Sequence, residues 1–138
     1  MKKFLSVLAL GFSLAAASQK LEISAASKSA FNKAHPSATN VKYEKENGNY
    51  EVNFVENEKK MSVVVDAKGT ILETEIELKS SELPISIQTY MKEHYRNNPL
   101  KEGAKITNQD GTVNYEAAIK GKDVIFDAKG KFIKETKD

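Results

Sequence analysis

His35 and His94 are the side chains best suited to move a proton or hold a metal near neutral pH in this chain of 138 residues. Each stands apart from any second ligand, whereas a metal site needs three or four donors at workable spacing. Serines are frequent, but no G-x-S-x-G elbow or S-x-x-K motif stands where it would support a nucleophile. Asp66 and Asp127 each open a "DAKG" stretch. These stretches lack the alternating oxygen ligands of a calcium loop and read as turns. Glu73, Glu75 and Glu77 alternate along one segment. Paired carboxylates could serve acid–base chemistry or recognise cations, but a solvated strand face explains the same spacing. Tyr43, Tyr50 and Tyr115 read as core aromatics. With no cysteine there is no thiolate, disulfide or lipidated cysteine. The residues therefore predict no catalytic, cofactor-binding or metal-binding set.

The elements that would position these residues come twice. "EISAASKSAFNKA" (22–34) reads as a helix with Ile23, Ala26, Ala30 and Ala34 on one stripe and Phe31 beside it, stopped by Pro36. Four strand-like runs follow: "NVKYEKE", "NYEVNFVE", "KMSVVVD" and "TILETEIEL". "ENGN" and "DAKG" mark hairpin turns among them. The pattern then restarts. "SSELPISIQTYMKEHYRN" predicts a second helix, N-capped by Ser81, with Ile87, Met91 and Tyr95 four apart. "AKITNQ", "TVNYEAAI", "KDVIFD" and "KFIKET" supply four more runs. "NYE" recurs after 65 residues (Asn49 to Asn114) and "DAKG" after 61 (Asp66 to Asp127). The second copy is thus four residues shorter between its second and third strands, a difference we assign to the charged loop "ENEKK".

The fold class is α+β: a helix followed by a four-stranded antiparallel meander, in tandem, each helix packed on one sheet face. Alternation puts Val41, Tyr43, Tyr50, Val52, Phe54, Val63 and Val65 on the helix side of the first copy. Ile106, Tyr115, Ala117, Ile119, Val124 and Phe126 take that side in the second. The other face carries Lys42, Glu44, Glu51, Asn53, Val64, Glu116, Ala118 and Ile125.

The chain opens with "MKKFLSVLALGFSLAAASQ". Lys2 and Lys3 precede an apolar run too short to span a bilayer comfortably, and Ala15-Ala16-Ala17 supplies small residues for a signal peptidase. We expect residues 1–18 to be a signal peptide, cut after Ala17 or Ser18, with repeats over 19–79 and 80–138. Of 21 Lys and Arg, removing Lys2 and Lys3 leaves 19, against 19 Asp and Glu. A mature chain without net charge has no basic stripe for nucleic acid. Once the signal is removed it also has no stable membrane anchor.

These motifs resemble the PepSY-like, β-lactamase-inhibitor-like family of small exported bacterial proteins of Bacteroidetes type. The likeness is carried by "AFNKAHP", "VKYEKENGNYEVNF", "VVVDAKG", "ELPISIQTYMKEHY" and "YEAAIKGKDVIFDAKGKFIKE", and covers nearly all of the mature chain. In the paired "FDxxG" hairpins the first copy has Val65 in place of Phe. The resemblance implies a tandem helix-plus-four-strand fold, a periplasmic or secreted location and no catalysis. It also suggests a binding module that inhibits or regulates an envelope enzyme or peptidase, and the alternation offers the free sheet face for that contact. Glu51, Asn53, Val64, Glu116, Ala118 and Ile125 form the candidate partner surface. A carrier or sensor of a small ligand held between sheet and helix is the alternative.

Overall fold

The computed structural model describes residues 22–137, so the expected signal peptide lies outside the described residues. Helix α1 (Ala25–Ala34) precedes strands β1 (Thr39–Glu46), β2 (Asn49–Glu56), β3 (Lys59–Val65) and β4 (Ile71–Leu78). After a single 3-10 turn at Ser80–Glu82, helix α2 (Ile85–His94) precedes β5 (Glu102–Asn108), β6 (Val113–Ile119), β7 (Lys122–Asp127) and β8 (Phe132–Lys137). The duplicated helix-and-meander pattern is present, and its two halves share one sheet. All eight strands lie in chain order in a single antiparallel sheet, joined at the middle by β4 and β5.

Register shows where the helices sit. Phe54, Met61, Ile76, Lys105, Tyr115, Phe126 and Phe132 face one another in succession from β2 to β8. Directly paired residues share a face. Phe54 belongs to the cluster around Phe31 of α1, and Phe126 to the cluster around Ile87 and Met91 of α2. Both helices therefore cover the same face. The first core joins Phe31 to Tyr50, Val52, Phe54, Val63 and Val65. The second joins Leu83, Ile87 and Met91 to Ala117, Ile119, Val124 and Phe126.

The repeated "DAKG" turns dock these helices. In each, the aspartate Oδ1 accepts two backbone N–H groups at 2.9 Å: Lys68 and Thr70 for Asp66, Lys129 and Lys131 for Asp127. These bonds hold the Asp66 carboxyl below its usual range. Gly69, at φ +89°, runs against the first turn of α1; a Cβ there would lie 2.7 Å from the Ala26 carbonyl oxygen. Gly130, at φ +79°, runs against the same turn of α2, where its neighbour is the Ser86 side chain and not a backbone carbonyl. Ser27 Oγ donates to Asp66 O at 2.7 Å, and Ser24 caps α1 by accepting from Ser27 N at 3.1 Å.

Several expectations need correction. The buried residues of α1 are Ser27 and Phe31, while Ala26 and Ala34 are exposed. A polar residue with its hydroxyl satisfied occupies the place assigned to alanines. Pro84, not Ser81, precedes the first residue of α2, because Ser81 is taken up in the 3-10 turn closed by Lys79 N donating to Glu82 Oε2 at 2.8 Å. Ile106 pairs with Glu75 and Asn114, on the face away from the helices. The four extra residues of the first copy do not form a loop. Both copies turn in two residues, Asn57-Glu58 and Lys120-Gly121, and the first hairpin runs two pairs longer. Its extension is used: Glu56 Oε2 lies 2.8 Å from His35 Nδ1 at the end of α1. Lys59 Nζ reaches Glu82 Oε1 at 3.2 Å, tying the first hairpin to the second copy.

Candidate functional site

The second face of the sheet carries the predicted surface. Glu51 on β2 faces Val64 on β3, which faces Glu73 on β4, which faces Asn108 on β5. The next row reads Asn53, Ser62, Glu75, Ile106, Asn114 and Asp127. A third runs from Glu77 through Ala104, Glu116 and Ile125 to Lys134. Ala118 stands between Glu102 and Asp123. Period-two alternation puts every one of these on the face the helices leave.

The structure brings Glu51, Asn53 and Val64 together, and Asn53 Nδ2 donates to Glu51 Oε1 at 3.2 Å. Glu116, Ala118 and Ile125 form a second group. β2 and β6 are four strands apart, so about 19 Å separates the groups across the sheet. Glu73, Glu75, Glu77, Ala104 and Ile106 fill the interval. The sequence reading missed this middle, because nothing in "ILETEIEL" says that β5 will pair with it. Those glutamates are also less solvated than the alternation implied. Glu75 is only 8 % exposed. Burial, helped by the Glu51 charge, pushes the Glu73 carboxyl up to about 7. Burial likewise raises Glu51, with Glu46 and Glu44 adding to it against the bond from Asn53.

Glu44, Glu51, Glu77, Glu102 and Glu116 outnumber Lys42, Lys60 and Lys134 on this face, where Glu75 and Asp123 are buried and Glu73 keeps its proton up to about 7. The surface suits a cationic counterpart. It offers no arrangement of nucleophile, base and oxyanion donor.

The remaining polar candidates have structural partners. His35 packs against Phe31 and Phe54, its ring centroid 4.6 Å from that of Phe54. His94 stacks on Tyr90 at 3.9 Å and donates from Nδ1 to the Tyr90 carbonyl at 3.0 Å. Tyr95 donates to Glu135 at 2.7 Å, tying the end of α2 to β8. Burial and that carboxylate push its hydroxyl up to about 12. Among the described residues no three His, Asp or Glu side chains are grouped to hold a metal. No helix among them is long and apolar enough to cross a membrane.

No protein-family model and no curated protein matches the sequence. Solved structures do match. A BLIP-like protein from Bacteroides fragilis is 25 % identical with a TM-score of 0.71, over 86 % of this chain and 89 % of that one. A protein from Bacteroides eggerthii ascribed to the periplasm has a TM-score of 0.77 at 11 % identity, covering 84 % and 89 %. A DUF2874 family protein from Bacteroides ovatus has a TM-score of 0.73 at 16 % identity, covering 82 % and 86 %. The fold is that of these BLIP-like and DUF2874 proteins.

Proposed function

Starting from the fold shared with BLIP-like and DUF2874 proteins of Bacteroides, we propose that this chain is an exported, non-catalytic binding module. It captures a protein partner on the sheet face opposite its helices and thereby inhibits or regulates an enzyme or peptidase of the cell envelope. The observation that carries this reading is the sidedness of the sheet: both helices sit on one face, and an acidic surface spanning both copies occupies the other. A partner with Lys and Arg across its contact surface is the complement, because opposed charges speed encounter and set register. Val64, Ala104, Ala118 and Ile125 supply the apolar ground between the charges. Residues 1–18 act as the export signal, and the mature chain works in the periplasm or outside the cell.

The test is capture from a periplasmic extract with tagged mature chain, followed by the E51K/E116K variant. A protein retained in stoichiometric amount and lost with the variant, at an unchanged melting temperature, supports the reading. Equal retention by the variant contradicts it. Retention of a lipid or metabolite alone would favour a carrier.

A further inference from the structure

The duplication supplies an internal control. What the fold requires is common to the copies: a large buried residue at the seventh position of each ten-residue helix (Phe31, Met91) and a "DAKG" turn against its start. What only one copy has is available for something else. The outer stripe of α1 reads Ala25, Lys28, Ser29, Asn32 and, beyond its end, Pro36. The same positions of α2 and beyond read Ile85, Gln88, Thr89, Lys92 and Arg96. Alanine satisfies the first helical position in α1, yet α2 holds isoleucine there, 79 % exposed. A fold gains nothing from such a side chain in water.

Ile85 stands at a groove of about 580 Å³ between α2, the 3-10 turn and the segment leading to β5. Its apolar wall comes from Ile85, Met91, Pro99 and Leu100, and its charge from Lys92 and Arg96. No Asp or Glu lines it, and among the described residues neither cation is in an ion pair. Gln88 fixes the wall by donating to the Leu83 carbonyl at 2.7 Å. Among the described residues, a 3-10 turn precedes only α2. The volume is that of a small-ligand site.

We propose that this groove binds a free amphipathic carboxylate, its hydrocarbon chain along Ile85, Pro99 and Leu100 and its anionic end at Lys92 and Arg96. The site is separate from the sheet face and lies in the second copy.

The probe is decanoate, titrated well below its micelle concentration into isotope-labelled mature chain and followed by amide chemical shifts. Saturable shifts confined to α2, the 3-10 turn and residues 95–101 are expected, with a Kd on the order of 0.1 mM. I85A, which restores the residue of the first copy, weakens binding roughly fivefold at unchanged stability. K92E/R96E abolishes it, and decylamine does not compete. Three results would overturn the proposal: no saturation below about 5 mM, equal binding of decylamine, or co-sedimentation with anionic phospholipid vesicles without saturable binding of free decanoate.

Discussion

Leu83 occupies the space where residue 103 would carry a Cβ. Its Cγ and both Cδ atoms stand 2.7 Å from that position, so the backbone of β5 passes under the leucine only because residue 103 is glycine. The first copy solves the same problem differently, with Tyr43 of β1 opposite Val52 where Gly103 of β5 stands opposite Ala117. Ile23, the counterpart of Leu83, is only partly buried against the first core, whereas Leu83 is 2 % exposed.

Substituting Gly103 by Ala should therefore cost about 1–3 kcal/mol, the penalty of overpacking a filled core. L83A/G103A should cost less than the sum of the single changes, because the leucine that the new methyl strikes is gone. Urea unfolding of the four proteins gives the coupling directly.

The two classes of turn glycine should separate. Gly69 combines φ +89° with the Ala26 carbonyl at its back, whereas Gly48, at φ +82°, has nothing within 4 Å. G48A should cost only the left-handed penalty of about 1 kcal/mol. G69A should exceed it by at least about 1 kcal/mol, since the turn must move off α1. Thermal unfolding ranks them.

Asn57 and Glu58 both have positive φ, 51° and 64°, in the two-residue turn between β2 and β3. Such turns favour glycine second, as Asn47-Gly48 has in the preceding hairpin. E58G should raise stability by about 0.5–1 kcal/mol. An unchanged or lower denaturant midpoint would count against the turn geometry.

Glu73 makes stability depend on pH. Its carboxyl stays protonated up to about 7 in the fold, against an ordinary value of 4.5. The folded state then holds a proton the unfolded chain has released. Its stabilising contribution is complete below about 4.5 and is lost as pH rises through about 7. Between pH 5 and 8 the wild type should lose roughly 1–2 kcal/mol that E73Q does not, a range that allows for partial solvent screening. Parallel curves for the two proteins would show that burial of this carboxyl is unimportant.

Much of this fold could be read from the repeated phrases. "NYE" and "DAKG" revealed the duplication, apolar runs bounded by turns gave eight strands and two helices, and alternation placed Val52, Phe54, Val124 and Phe126 correctly beneath the helices. Three features escaped. Ser27 is buried because its hydroxyl reaches the Asp66 carbonyl, a tertiary bond that polarity conceals. The long hairpin looked like a charged loop because Glu56, Lys59 and Lys60 are polar strand residues near a sheet edge. Union of the two halves depends on β4 pairing with β5 across an intervening helix, and neither strand announces its neighbour. The candidate surface was located by parity alone. Its acidic middle, Glu73 to Glu77, became visible only with that pairing.

The central claim is that the acidic sheet face, not the helical side, meets the partner. Immobilised wild type, the sheet-face variant E51K/E116K and a helix-side control, K33E, should be compared for capture from one periplasmic extract, with melting temperatures measured alongside. One protein should be held equally by wild type and K33E and lost from E51K/E116K, with all three melting alike. A partner kept by E51K/E116K and lost from K33E would place binding on the other side of the molecule and contradict it.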